Sequence, residues 1–125
     1  MADGIRFVGT WHFVRKGSIT SDVKKVLIDG ENVQCVYQTV RDMAILTDKR
    51  LIVRDSQGIT GKKVEIFSIP WRSVRMWSTE NAGKLLDVDT ELQLWTTIGN
   101  FKINLSRAID IREIDRLVSN AVLRA

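Results

Sequence analysis

The sequence predicts a mainly β domain: a seven-stranded antiparallel barrel or sandwich capped by a C-terminal amphipathic helix, with a short helix before it. Three observations carry this. Residues 41–83 break into short apolar-alternating segments separated by turn residues, Thr47-Asp48-Lys49-Arg50 and then Ser56-Gln57-Gly58-Ile59-Thr60-Gly61. From Glu31 onward the apolar period is two, as in a half-buried strand. After Asp110 the period becomes helical, which gives the sheets an amphipathic cover.

At 125 residues the chain fits one domain with a core of its own, without metal or disulfide staples. Its 44% hydrophobic and 27% charged content is that of an ordinary globular domain. A net charge of +4 favours anionic partners only weakly. The single cysteine, Cys35, excludes an intrachain disulfide and demands no oxidising compartment. The start shows no long apolar run followed by a small-residue cleavage site. No stretch approaches the ~18 apolar residues of a membrane span, so the cytoplasm is the expected compartment.

Residues 1–18 read as an N-terminal extension to a domain over 19–125. Gly4, Gly9 and Gly17 interrupt its apolar residues, and a short helix or an added strand both fit. Trp11 and Phe13 are expected to dock on the domain or on a neighbouring subunit. Ser21 is the expected N-cap of a helix of about two turns, with Val23, Val26 and Leu27 on one face and Asp29-Gly30 as its stop.

Strands are expected near 33–40, 42–47, 50–55, 62–69, 72–79, 91–97 and 100–105. Alternation assigns Leu51 and Val53, Val64 and Ile66, Val74 and Met76, Leu92 and Leu94, and Phe101, Ile103 and Leu105 to the core. Gly99-Asn100 is the expected tight turn, and Pro70 marks a strand end or bulge. In the final helix Asp110 is the N-cap, and Ile111, Ile114, Leu117, Val118, Ala121 and Val122 form one apolar stripe.

Several ordered motifs go beyond this pattern: Val40-Arg-Asp, Thr47-Asp-Lys-Arg-Leu-Ile, Gln57-Gly-Ile-Thr-Gly-Lys-Lys-Val-Glu, Ser68-Ile-Pro-Trp-Arg-Ser-Val and Asn81-Ala-Gly. Asp87-Val-Asp-Thr-Glu-Leu-Gln-Leu-Trp and Asp110-Ile-Arg-Glu-Ile continue them. Over roughly 20–124 they resemble the bacterial pleckstrin homology domain family of small stand-alone proteins, with Trp71 standing where that pattern has Tyr. The resemblance implies a non-catalytic module without a cofactor, whose members assemble into ring-like homo-oligomers. Relatives of the fold bind phosphoinositides or peptides, but a fold does not transfer a ligand.

Two candidate sites follow. Strand direction brings Arg41, Lys62 and Lys63 to one end, where Gly58 and Gly61 expose backbone N–H groups, a candidate site for anionic lipid or another phosphorylated ligand. The first hairpin turn is short and Glu80, Asp87, Asp89 and Glu91 are acidic, so a solvated basic turn also accounts for these residues. Lys49 and Arg50 fall at the opposite end. The second candidate is a subunit interface. If Val74, Met76, Leu92 and Leu94 point inward, then Trp77 and Trp95 point outward beside Arg75 and Gln93, with Tyr37 and Phe67 outward by the same count. A bulge that turns one or both tryptophans inward is the competing reading.

Other chemistries are not expected. The P-loop pattern fails because position 56 is Ser56 and position 63 is Lys63. Nucleic-acid binding lacks aromatic platforms interleaved with basic residues. A catalytic triad would depend on the lone His12, which also has no metal-ligand cluster beside it. Cys35 has no evident base and reads as a small hydrophobe.

Overall fold

The computed structural model describes residues 7–57, 63–81, 90–106 and 108–125. Two sheets pack face to face. The first has five strands: β2 (Arg15–Lys16), β3 (Val33–Gln38), β4 (Met43–Thr47), β5 (Arg50–Gln57) and β6 (Lys63–Pro70). They lie in that order and are all antiparallel. The second holds β1 (Phe7–Phe13), β9 (Gly99–Leu105), β8 (Thr90–Thr96) and β7 (Val74–Glu80), in that order. The sheets form a sandwich rather than a closed barrel, and the helix α2 (Ile111–Leu123) covers part of it.

The seven expected strands are β3–β9, with ends shifted by up to two residues. Two more come from the N-terminal segment. β1 pairs parallel to β9, and β2 pairs antiparallel to β3. The chain passes between sheets at Val14, whose N–H donates to Gln38 O at 3.1 Å, while Ser106 N donates to Phe13 O at 2.9 Å. Trp11 and Phe13 are buried in the core between the sheets, so both dock on their own domain.

Strand β4 is buried at every position, although a strand exposes alternate faces. Ala44 and Leu46 belong to the main core. Met43 and Ile45 join Val36, Ile52 and Val23 in a second, smaller core on the far face of the sheet. Val23 comes from α1 (Ser21–Lys24), a single turn rather than the expected two. Its N-cap is Thr20 rather than Ser21, and the Asp22 carboxylate accepts from Val23 N–H at 2.8 Å and from the Thr20 hydroxyl. Gly30 closes the following turn with φ of 81°, the left-handed conformation that glycine tolerates.

The second core explains one correction. The register pairs Ile66 with Arg54 and Val64 with Ser56, which places both on the α1 side of the sheet, and Ile66 packs on the smaller core. Phe67 and Ile69 are the residues of β6 that face the main core. Tyr37 is likewise buried there, not outward. Because both faces carry apolar residues, alternation alone does not show which one meets the other sheet. The last hairpin turns at Thr97-Ile98, and Gly99, with φ of 152°, opens β9 instead of forming the turn.

The Thr47–Arg50 turn is held from three sides. Thr47 Oγ1 accepts from Lys49 N and Arg50 N, both at 3.0 Å. Trp71 is fully buried after the strand end at Pro70, and its Nε1–H donates to Thr47 O at 2.7 Å. Arg50 donates to both oxygens of Glu31 at 2.9 and 3.0 Å, and Thr47 Oγ1 donates to Glu31 Oε2 at 2.7 Å. Burial raises the Glu31 pKa, but the hydrogen bonds from Arg50, Thr47 and Ile28 N outweigh it and hold the carboxyl down at about 2. The Thr-Asp-Lys-Arg motif is thus a structural anchor.

Asp110 caps α2, accepting from Arg112 N at 3.0 Å and Glu113 N at 3.4 Å. Ile111, Ile114 and Val118 are buried, and Leu117, Ala121 and Val122 pack beside them, the stripe expected from the sequence.

Candidate functional site

The outer face of β7–β8–β9 is set by one extra residue. Val74 pairs with Thr96 and Met76 pairs with Trp95, so two steps along β7 oppose one step along β8. This bulge at Arg75 reverses the facing of every later residue of β7. Met76, assigned to the core by simple alternation, is 52% exposed on the outer face. Trp77, assigned outward, turns inward opposite Leu94 and packs against the main core.

Trp77 is bound there by α2. Its Nε1–H donates to Asp115 Oδ1 at 3.4 Å, and Thr79 Oγ1 donates to Asp115 Oδ2 at 2.5 Å. The Thr79 hydroxyl, ahead of Ser119 and Trp77, keeps the Asp115 carboxyl below the ordinary range although burial works against it. Trp77 is therefore a helix-docking residue and leaves the candidate interface.

Trp95 keeps its outward place. It is half-buried between Met76 on one side and Asn100 on the other, while its neighbour Leu94 is fully buried. Gln93 follows on the same face between Ser78 and Lys102, and Arg75 stands exposed at the bulge. Lys102 Nζ lies 4.0 Å from Glu91 Oε2. The face is an apolar pair bordered by amides and charges.

At the other candidate site, the strand order places Arg41 and Lys63 at the same end of the five-stranded sheet, as expected. Arg41 Nη2 donates to Ser56 O at 3.0 Å, which ties that guanidinium to the end of β5. Lys62, Gly58, Gly61, Asp87, Asp89 and the His12 side chain lie outside the described residues. Cys35 is partly buried and packs against the main core. Among the described residues, no three His, Cys, Asp or Glu side chains are grouped to hold a metal. No described helix is long and apolar enough to cross a membrane.

Residues 4–122 match the family model described as Bacterial PH domain. The chain belongs to the bacterial PH domain family. This PH domain is 41% identical to the protein YjqA of Bacillus subtilis (strain 168) over 93 residues, 74% of this chain and 72% of that protein. Among solved structures, it is similar to a DUF1696 family protein with a pleckstrin-homology domain from Shewanella loihica PV-4. That similarity has a TM-score of 0.78 at 30% identity, covering 86% of this chain and 96% of that one. It is also similar to a pleckstrin homology domain from Shewanella amazonensis SB2B, with a TM-score of 0.65 at 36% identity over 82% and 83% of the two chains.

Of the two readings open from the sequence, the bulge holds for Trp77 and simple alternation holds for Trp95. The signal for the bulge is the spacing of Val74 and Trp77, since no unbroken strand places residues three apart on one face.

Proposed function

We propose that this PH domain is a non-catalytic binding or scaffold module that self-associates into a ring-like homo-oligomer through the outer face of β7–β8–β9. The observation that supports this is the exposed Met76 beside Trp95, a large apolar pair on a sheet face opposite the one α2 covers. Methionine and tryptophan are enriched where protein surfaces meet, and charged rims give such contacts their orientation. Arg75, Gln93 and the Lys102–Glu91 pair form that rim here. The occupant proposed for the face is a second copy of this chain. Light scattering on the native protein and on a Met76→Ser, Trp95→Ser double variant tests it, with dissociation of a folded variant as the expected outcome.

The shared end of Arg41 and Lys63 favours a second reading, a peripheral binder of anionic lipid or a phosphorylated ligand. Salt-sensitive sedimentation with anionic vesicles, lost on Lys63→Ala, is its expected signature.

A further inference from the structure

At the end of the five-stranded sheet away from Arg41 and Lys63, a cleft of about 910 Å3 opens between the Thr47–Arg50 turn, the Trp71–Ser73 turn and the last two turns of α2. That volume lies in the range of ligand-binding pockets. Leu117, Ala121 and the exposed Ile28 give it apolar surface.

Its charges are unevenly partnered. The Glu31 carboxylate is taken up by Arg50, Thr47 and Ile28 N. Asp48 accepts from Asn32 N at 2.8 Å and Asn32 Nδ2 at 3.4 Å. Lys49, Arg72 and Arg124 line the same cleft and are exposed. Among the described residues their side chains make no hydrogen bond or ion pair. With Glu31 set against Arg50 and the Asp48 carboxylate facing Lys49, the charge left over, on Arg72 and Arg124, is positive and lies beside apolar surface.

From this we infer that the cleft binds an acidic peptide segment carrying an apolar side chain. Its carboxylates pair with the guanidinium forks of Arg72 and Arg124, and its apolar side chain lies over Leu117 and Ala121. Gln34 and Asn120 add side-chain amides to the lining, where the peptide backbone can bond them. Nucleic acid fits less well, because the described lining of the cleft holds no aromatic ring for a base to stack on. A bilayer fits less well because the site is concave. The inference is independent of the proposed self-association, since the cleft lining includes none of Arg75, Met76, Gln93 and Trp95.

The test is fluorescence anisotropy with a labelled peptide of alternating Glu and Leu, and with Lys-Leu and Glu-Ser peptides as controls. The Glu-Leu peptide is expected to bind in a salt-sensitive manner and both controls more weakly. An Arg72→Ala, Arg124→Ala double variant, shown folded by circular dichroism, is expected to lose about tenfold or more in affinity. Absence of Glu-Leu binding, equal binding by the double variant, or equal binding of the Glu-Ser peptide overturns the inference. So does capture by anionic vesicles, lost in the double variant, in place of peptide binding. The solution mass of the double variant, expected to equal that of the native protein, keeps this result separate from the assembly reading.

Discussion

Met76 and Trp95 are direct cross-strand partners on the outer face of β7–β8, brought together by the extra residue at Arg75. Had β7 run without that bulge, Met76 would have entered the core and Trp77 would have stood beside Trp95. The bulge instead divides the two tryptophans between two tasks. Trp77 holds α2 to the sheet, and Trp95 is left half-buried on the outer face.

That division makes the tryptophans separable by mutation. Trp77→Ala removes a ring packed on the core together with its bond to Asp115, and is expected to lower stability by about 2–3 kcal/mol. Trp95→Ala, on the outer face, is expected to cost the isolated subunit under about 1 kcal/mol. Urea unfolding followed by far-ultraviolet circular dichroism measures both. Equal losses would contradict the facing derived from the bulge.

Glu31 and Arg50 join the loop after α1 to the Thr47–Arg50 turn. Glu31→Gln leaves Arg50 without its counter-charge and is expected to cost about 2–3 kcal/mol near neutral pH. The folded pKa of Glu31 is depressed from the ordinary 4.5 to about 2. Its contribution is therefore full above 4.5 and is lost as pH falls toward 2. Asp22 and Asp115, whose carboxyls are also held low, act in the same sense. Urea titrations across this acid range should show the gap between native protein and Glu31→Gln closing as pH falls. A gap constant with pH would contradict the ion pair.

The Asp110 cap supplies a smaller, local test. Asp110→Ala frees the N–H groups of Arg112 and Glu113 at the start of α2 and is expected to cost about 1 kcal/mol. Asp110→Asn, which keeps a capping oxygen, should recover most of it. Urea midpoints of the three proteins provide the comparison.

Much of this architecture was legible in the sequence because local chemistry and global fold agree there. The stripe of α2 and its Asp110 cap follow from helical spacing and a short carboxylate side chain, and Leu92, Leu94, Phe101 and Ile103 follow from strict alternation. The pairing of β1 with β9 joins residues far apart in sequence, and glycines blur the period of that segment. Val64 and Ile66 misled because their sheet is apolar on both faces, one against the other sheet and one beneath α1. The outward facing of Trp95, Arg75 and Gln93 was readable, whereas Met76 and Trp77 exchanged faces through a one-residue shift in backbone register.

The most direct measurement is the solution mass of the native protein and of the Met76→Ser, Trp95→Ser double variant by light scattering, with circular dichroism to confirm that both are folded. The account predicts a discrete native oligomer built from 14.2 kDa subunits and a folded, monomeric variant. A native protein that is itself a 14.2 kDa monomer, or a folded double variant that keeps the native mass, would contradict it.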